Sequence, residues 1–240
     1  MQRPLNYIRL RRQHYDVSSG SLRAAVLGVN DGLVSNFSLI MGVAGGTKDP
    51  DIVLLAGVAG MLAGAFSMAA GEYVSMRSQR DVYEHQIQVE RAEIKMRPED
   101  KEQELIDIYQ RKGLSQSEAQ TISSRVMSDP DIALDTIARE LLGVNPSQLG
   151  SPWGASISSF GAFVTGALIP IIPYIFGTEP LAIQLSAILG AIALLSVGGA
   201  ISFVTGKSIV MGALRMGIAG GLAAFTTFAV GSLIGTSLST

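Results

Sequence analysis

The 240-residue sequence predicts an all-α membrane protein of five transmembrane helices, with a cytosolic helical insert between helices two and three. Two observations carry this reading. Only 16% of the residues are charged and the mean hydropathy is +0.35, against about 25% charged in a soluble domain, so much of the surface is predicted never to meet water. The charge is also segregated: 23 of the 38 Asp, Glu, Lys and Arg residues lie between Arg80 and Glu140, whereas the 95 residues after Asn145 hold only Glu179, Lys207 and Arg215. A net charge of −2 argues against a nucleic-acid partner and against disorder. The absence of cysteine removes disulfides, Cys-type zinc sites and thiol nucleophiles.

A hydrocarbon core of about 30 Å needs roughly 20 helical residues. Residues 24–47 supply the first such segment, uncharged except for Asp31. The second covers 52–71, and its helix is expected to continue through Glu72 toward Arg77 and into water. Segments three to five cover 155–176, 181–204 and 209–238. The chain thus divides into a tail (1–23), helices one and two (24–77), the insert (78–145) and helices three to five (146–240). Arg3, Arg9, Arg11, Arg12 and Arg23 in the tail, Arg77 and Arg80 at the start of the insert, and Lys207 place these parts in the cytosol, because positive charge stays inside. Five spans put the C-terminus on the other side. No apolar core marks a signal peptide in the first 20 residues. Trp153 is expected to anchor at the interface, Pro170 and Pro173 to kink span three, and Gly161, Gly166, Gly190, Gly198, Gly199, Gly220, Gly221, Gly231 and Gly235 to let helices pack closely.

The insert reads as helices. One continues from segment two through Arg97 to a break at Pro98, and the next spans 99–112 and ends at Gly113. Ser115 and Glu118 form a capping box that opens another, and Asp129-Pro130 opens a last one that stops at Gly143. Leu105, Ile108, Ile122, Val126, Ile132, Leu134, Ile137 and Leu141 have helical spacing and are expected to share a small core.

Chemistry is expected in three places. Within the insert Asp and Glu number 14 against nine Lys and Arg. Glu90 and Glu93 share a helical face with no lysine at Gln86 or Ile94 to neutralise them, and Glu99 and Glu102 repeat the spacing with Glu104 nearby. Such a run reads either as a solvated helical face laced with ion pairs or as a metal site, because the carboxylates repel unless a cation sits between them and their oxygens suit divalent ions. Inside the membrane, Asp31 in Gly28-Val29-Asn30-Asp31-Gly32-Leu33-Val34-Ser35-Asn36 costs at least about 2.5 kcal/mol, which favours a functional carboxylate over a structural one paired with Asn or Ser on a neighbouring helix. Asn30, Ser35 and Asn36 add polar groups, and the glycines permit either close backbone approach or an unwound turn. In segment two, Met68, Glu72 and Met76 recur every four residues, so a carboxylate stands between two thioethers; the set suits Fe2+ or Mn2+, and the alternative is an interfacial Glu72 that reaches water. The two histidines, His14 and His85, do not provide the Glu-x-x-His pairs of a diiron enzyme. With no nucleophilic triad, phosphate loop or dinucleotide fingerprint, the chain is not read as an enzyme.

These motifs resemble the vacuolar iron transporter family of ferrous iron and manganese transporters. The resemblance is carried by 28–36, by 63–79 (AGAFSMAAGEYVSMRSQ), by 138–143 (ARELLG) and by the glycine-rich 220–235, and it spans about residues 20–238. It implies a five-helix homodimer in a lipid bilayer that exports Fe2+ or Mn2+ from the cytosol in exchange for protons, with no permanently bound cofactor. The membrane would be the plasma membrane of a prokaryote or the vacuolar membrane of a eukaryote. Asp31 and Met68 fall on the translocation site of the family. Glu90 and Glu93, then Glu99, Glu102 or Glu104, and finally Glu140 fall on its cytosolic metal ligands. Two features depart from plant members: Gly60 stands where they have an acidic residue, a role for which Glu72 is the candidate, and Thr136 and Ile137 replace methionines, which leaves an all-oxygen shell. Asp31 and Glu72 are accordingly the expected proton-coupling groups. The rival expectation is a membrane-anchored metal-binding or sensing protein without transport.

Overall fold

The computed structural model describes residues 20–143, 145, 149–177 and 180–238. Arg3, Arg9, Arg11, Arg12, His14 and Glu179 therefore lie outside the described residues. Eight helices follow one another with no strand among the described residues: α1 (Gly20–Gly46), α2 (Pro50–Met96), α3 (Pro98–Arg111), α4 (Gln116–Met127), α5 (Pro130–Glu140), α6 (Pro152–Phe176), α7 (Leu181–Val204) and α8 (Ile209–Leu238). Five of them, α1, α2, α6, α7 and α8, are long and apolar enough to cross a membrane. Contacts divide the chain into one unit comprising the described residues up to Val74 and from Ser151, and a second comprising Ser75–Gly150.

In the first unit α1 is central. Its face Leu33, Phe37, Ile40 and Met41 meets Val53, Met61 and Ala65 of α2, Phe163, Ala167, Ile171 and Tyr174 of α6, and Leu194 of α7 in one core. Small residues permit this. A methyl group on Gly32 would collide with the backbone carbonyl of Phe163, and one on Gly231 with that of Gly42, so α6 and α8 approach α1 at backbone distance. Gly28 and Gly32 thus serve close approach, and α1 passes through them as unbroken helix, not as an unwound turn. Gly166, Gly190, Gly198 and Gly235 also stand against a neighbouring helix, but a side chain on Gly161 or Gly221 would meet open space, so those two are not packing positions within this unit. α6 continues through Pro170 and Pro173, and the Pro170 carbonyl accepts the Ser186 hydroxyl of α7 at 2.8 Å. Trp153 is exposed and packs on Tyr73, with ring centroids 4.9 Å apart.

The second unit comprises the last turns of α2 with α3, α4 and α5. α2 runs unbroken to Met96, and Pro98 opens α3, where its missing N–H costs nothing. Lys112 caps α3, and Gly113 turns the chain at φ +98, a conformation that disfavours a side chain. Ser115 and Glu118 form the reciprocal capping box, with the Ser115 N–H donating to Glu118 Oε2 at 2.9 Å. Asp129 caps α5 by accepting from the Asp131 and Ile132 N–H groups, and α5 ends at Glu140, before Gly143.

The core of this unit is Ile94, Leu105, Ala133, Leu134 and Ile137, surrounded by Ile87, Tyr109, Val126, Met127 and Leu141. Ile108 is buried too, but Ile122 and Ile132 are exposed, contrary to expectation. Ile132 and Leu134 are two residues apart and so point about 200° apart on a helix; they cannot share a face. In α4 the small Ala119 and Ser123 take the buried centre, leaving Ile122 at the margin.

Candidate functional site

A cleft of about 350 Å3 opens in the first unit between α1, α2 and α6. α1 lines it with Asp31, Ser35, Asn36 and Leu39, and α2 with Gly60, Gly64, Ser67 and Met68. Both sets recur at three- and four-residue intervals, so each helix offers one stripe. Phe163 of α6 completes the wall. Space for the cleft comes from the glycines: a methyl group on Gly64 would strike the Phe163 ring, and one on Gly60 the end of Leu39.

Asp31 is exposed to this space, and its backbone carbonyl accepts the Ser35 hydroxyl at 2.5 Å. Met68 is half-buried on the facing helix. Asn36 is 2% exposed; its Nδ2 donates to the Ala167 carbonyl at 2.9 Å, while its Oδ1 has no donor among the described residues. The cleft therefore joins a carboxylate, a thioether and a buried carboxamide oxygen.

Glu72 stands elsewhere. It is one turn beyond Met68 and 9% exposed, but it is not among the cleft-lining residues. Its carboxylate lies 3.8 Å from the guanidinium of Arg23, too far for a hydrogen bond, and its buried Oε2 accepts none among the described residues. Met76 belongs to the other unit, where it sits against Gly150. The sulfur-carboxylate-sulfur stripe expected around Glu72 is therefore not gathered into the cleft; only Met68 of the three lines it.

In the second unit the glutamates gather around a cation of the chain itself. The cation between them is Lys101, on α3. Its Nζ lies 2.8 Å from Glu90 Oε2, 2.7 Å from Glu93 Oε2 and 3.0 Å from Glu104 Oε2. Only 8% of Lys101 is exposed. Burial works against its charge, but the three carboxylates outweigh burial and raise its pKa well above the usual lysine value. The Lys101 hydrogen bond, joined by its charge, holds the Glu93 carboxyl below its usual range. No lysine on the turns adjacent to Glu90 and Glu93 supplies this charge; the ammonium arrives from the next helix. A signal was present: Lys101, Leu105 and Ile108 recur at i, i+4 and i+7, so Lys101 occupies the buried stripe of α3.

The remaining acidic residues are not collected at this point. Glu140 pairs with Lys112, Glu99 is exposed, and Glu102 is half-buried, with no ion pair for Glu99 or Glu102 among the described residues. No group of three His, Cys, Asp or Glu residues among the described residues is placed to hold a metal ion together. His85 is exposed on α2.

A profile of the VIT family matches residues 22–232. The vacuolar iron transporter of Acanthamoeba castellanii is 34% identical over 223 residues, covering 90% of this chain and 79% of the relative. Vacuolar iron transporter 1 of Eucalyptus grandis is 30% identical over 230 residues, covering 94% of this chain and 92% of the relative. Vacuolar iron transporter 1 of Arabidopsis thaliana is 28% identical over 214 residues, covering 89% and 86%. The match takes in the cleft, the helix that carries Lys101 and all five long apolar helices, and the chain belongs to the VIT family.

Proposed function

We propose that this chain is a divalent transition-metal transporter that moves Fe2+ or Mn2+ out of the cytosol in exchange for protons. The observation that carries the reading is the convergence of Asp31 and Met68, from two different helices, on one cleft in an apolar helical unit. A carboxylate with a thioether suits a borderline ion such as Fe2+ or Mn2+ better than Mg2+ or Ca2+. Protonation of Asp31 weakens its hold on the ion, so a proton entering from the far side favours release. The names of the relatives, vacuolar iron transporters, support a metal cargo.

In this reading the insert faces the cytosol and gathers cations: Glu99 and Glu102, without an ion pair among the described residues, supply uncompensated charge, and Glu90, Glu93, Glu104 and Glu140 are candidate ligands that an ion reaches only in competition with Lys101 and Lys112. Large apolar residues remain uncovered on α2 and α8, among them Leu55, Phe66, Leu222, Phe225 and Leu233, and lipid with a second copy of the chain covers them. The membrane is the vacuolar membrane in a eukaryote and the plasma membrane in a prokaryote.

The test is Mn2+ and Fe2+ uptake into proteoliposomes under an imposed pH gradient. Gradient-driven uptake that Asp31→Asn abolishes is the expected result. Metal binding without uptake would replace this reading by a membrane-anchored sensor, and unchanged uptake by Asp31→Asn would remove the cleft from the pathway.

A further inference from the structure

We propose that Asn36 is an ion ligand of the cleft, its carboxamide oxygen completing a donor set with Asp31 and Met68 and biasing that set toward harder ions. The proposal rests on the reading of the cleft as the transport site. Its evidence is separate from the two residues on which that reading was built.

Asn36 is 98% buried by its 2% exposure, deep enough that each of its polar atoms needs a partner. The amide group has one: Nδ2 donates to the Ala167 carbonyl at 2.9 Å. A carbonyl only accepts, so it fixes which way the carboxamide points; the reverse orientation would set two acceptors against each other. Oδ1 is thereby turned away from α6, and it is left without a donor among the described residues. It belongs to a side chain lining the same cleft as Asp31 and Met68. An unpaired oxygen there costs stability in the empty protein, and a cation repays that cost when it binds.

The opposite wall agrees. A side chain at Gly60 would begin 3.0 Å from Asn36 Oδ1, so only a glycine at this position leaves the buried oxygen uncrowded. Glu72 does not line the cleft and Gly60 offers no side chain, which leaves Asn36 to provide oxygen beyond the single carboxylate of Asp31. An amide oxygen adds a hard ligand without adding charge. The set of carboxylate, amide and thioether then balances hard and soft donors. Removal of the amide oxygen leaves the thioether a larger share, and a softer ion such as Cd2+ loses less than Mn2+ does.

The experiment measures Mn2+ and Cd2+ uptake by the full-length protein in proteoliposomes, with KM and kcat separated, for wild type, Asn36→Ala, Gly60→Ala and Asp31→Asn. Gly60→Ala crowds Oδ1 without touching the Asn36 to Ala167 hydrogen bond, and the clash it makes with Leu39 involves the movable end of that side chain. Asn36→Ala and Gly60→Ala are each expected to raise KM for Mn2+ by about tenfold and KM for Cd2+ by less than about threefold. A purely structural role would weaken both ions together. Should Asn36→Ala fail to fold, Gly60→Ala alone decides. An unchanged Mn2+ to Cd2+ ratio in the folded variants, with uptake still lost in Asp31→Asn, overturns the role of Asn36 alone; uptake that survives Asp31→Asn overturns the cleft reading and this proposal with it.

Discussion

Lys101 Nζ on α3 lies 2.7 Å from Glu93 Oε2 on α2, and the same ammonium reaches Glu90 and Glu104. The place between these carboxylates that a divalent ion would occupy is thus held by the protein's own cation. An ion can enter only by displacing a buried ammonium that would then lack a partner, which is costly. In the detergent-solubilised full-length protein, Lys101→Gln is expected to raise Mn2+ affinity by about tenfold, with the gain lost in a further Glu90→Gln/Glu93→Gln variant. Titration calorimetry reads both. Equal binding by wild type and Lys101→Gln would show that the cluster is no latent cation site.

The same contacts set a pH window for the insert. Glu93 is held low by Lys101, and Glu84, Glu118 and Asp135 are held low by Arg80, Ser115 and Arg139. A depressed carboxyl contributes stability that is present above its unfolded value, about 4.5 for Glu, and lost as pH falls through the folded value. Lys101 is raised, so its contribution is full below 10.5 and lost as pH rises through its folded value. Thermal melts followed by circular dichroism are expected to show a flat plateau between these limits and a decline on both sides. In Lys101→Gln the acid decline is expected to be shallower, because Glu93 loses the contact that holds it low while Glu84, Glu118 and Asp135 keep theirs. Identical acid limbs in the two proteins would contradict the assignment.

Features set by neighbouring residues were legible in the sequence. The Ser115 and Glu118 box, the Asp129 cap, the stop at Gly113 and the five apolar helices all follow from spacing within one or two turns. Asp31 and Met68 were legible because their side-chain chemistry departs from that of the apolar helices around them. What was not legible depends on pairs brought together by the fold. Asn36 was noticed only as a polar neighbour of Asp31, since its partner Ala167 lies 131 positions away. Lys101 was invisible as a counter-ion until the break at Pro98 set α3 against the end of α2, and Glu72 was grouped with Met68 and Met76 because periodicity along one helix cannot say which neighbour covers each residue.

Glu72 and Arg23 offer a further test. The carboxylate is buried without a hydrogen bond, and Arg23, 70% exposed, is its only ion-pair partner among the described residues. Arg23→Gln leaves a buried charge uncompensated and is expected to destabilise by about 1–2 kcal/mol, the solvent exposure of the arginine reducing the larger cost of breaking a fully buried pair. Glu72→Gln removes the charge and is expected to be nearly neutral. The double variant should recover most of the loss in Arg23→Gln. A double-mutant cycle on thermal unfolding midpoints settles it, and additive losses would mean that the two groups do not interact.

The glycines of α1 and α6 make opposite predictions for the same substitution. A methyl group on Gly32 has to enter the space held by the Phe163 carbonyl, and backbone cannot rotate aside as a flexible side chain can. Gly32→Ala must therefore push α1 away from α6, at an overpacking cost of about 1–3 kcal/mol. The displacement reaches function as well, because Asp31 is the adjacent residue and Phe163 forms a wall of the cleft. Gly161 lies two residues before Phe163, yet a side chain there meets nothing within 4 Å. Gly161→Ala gains helix propensity of up to about 1 kcal/mol and should leave both the melting temperature and Mn2+ uptake at or above wild type. Melting of the two purified variants, compared with their uptake in proteoliposomes, separates the cases: a stable, active Gly32→Ala would mean that α1 and α6 do not meet at backbone distance, and a loss in Gly161→Ala would reveal a partner surface against that face of α6.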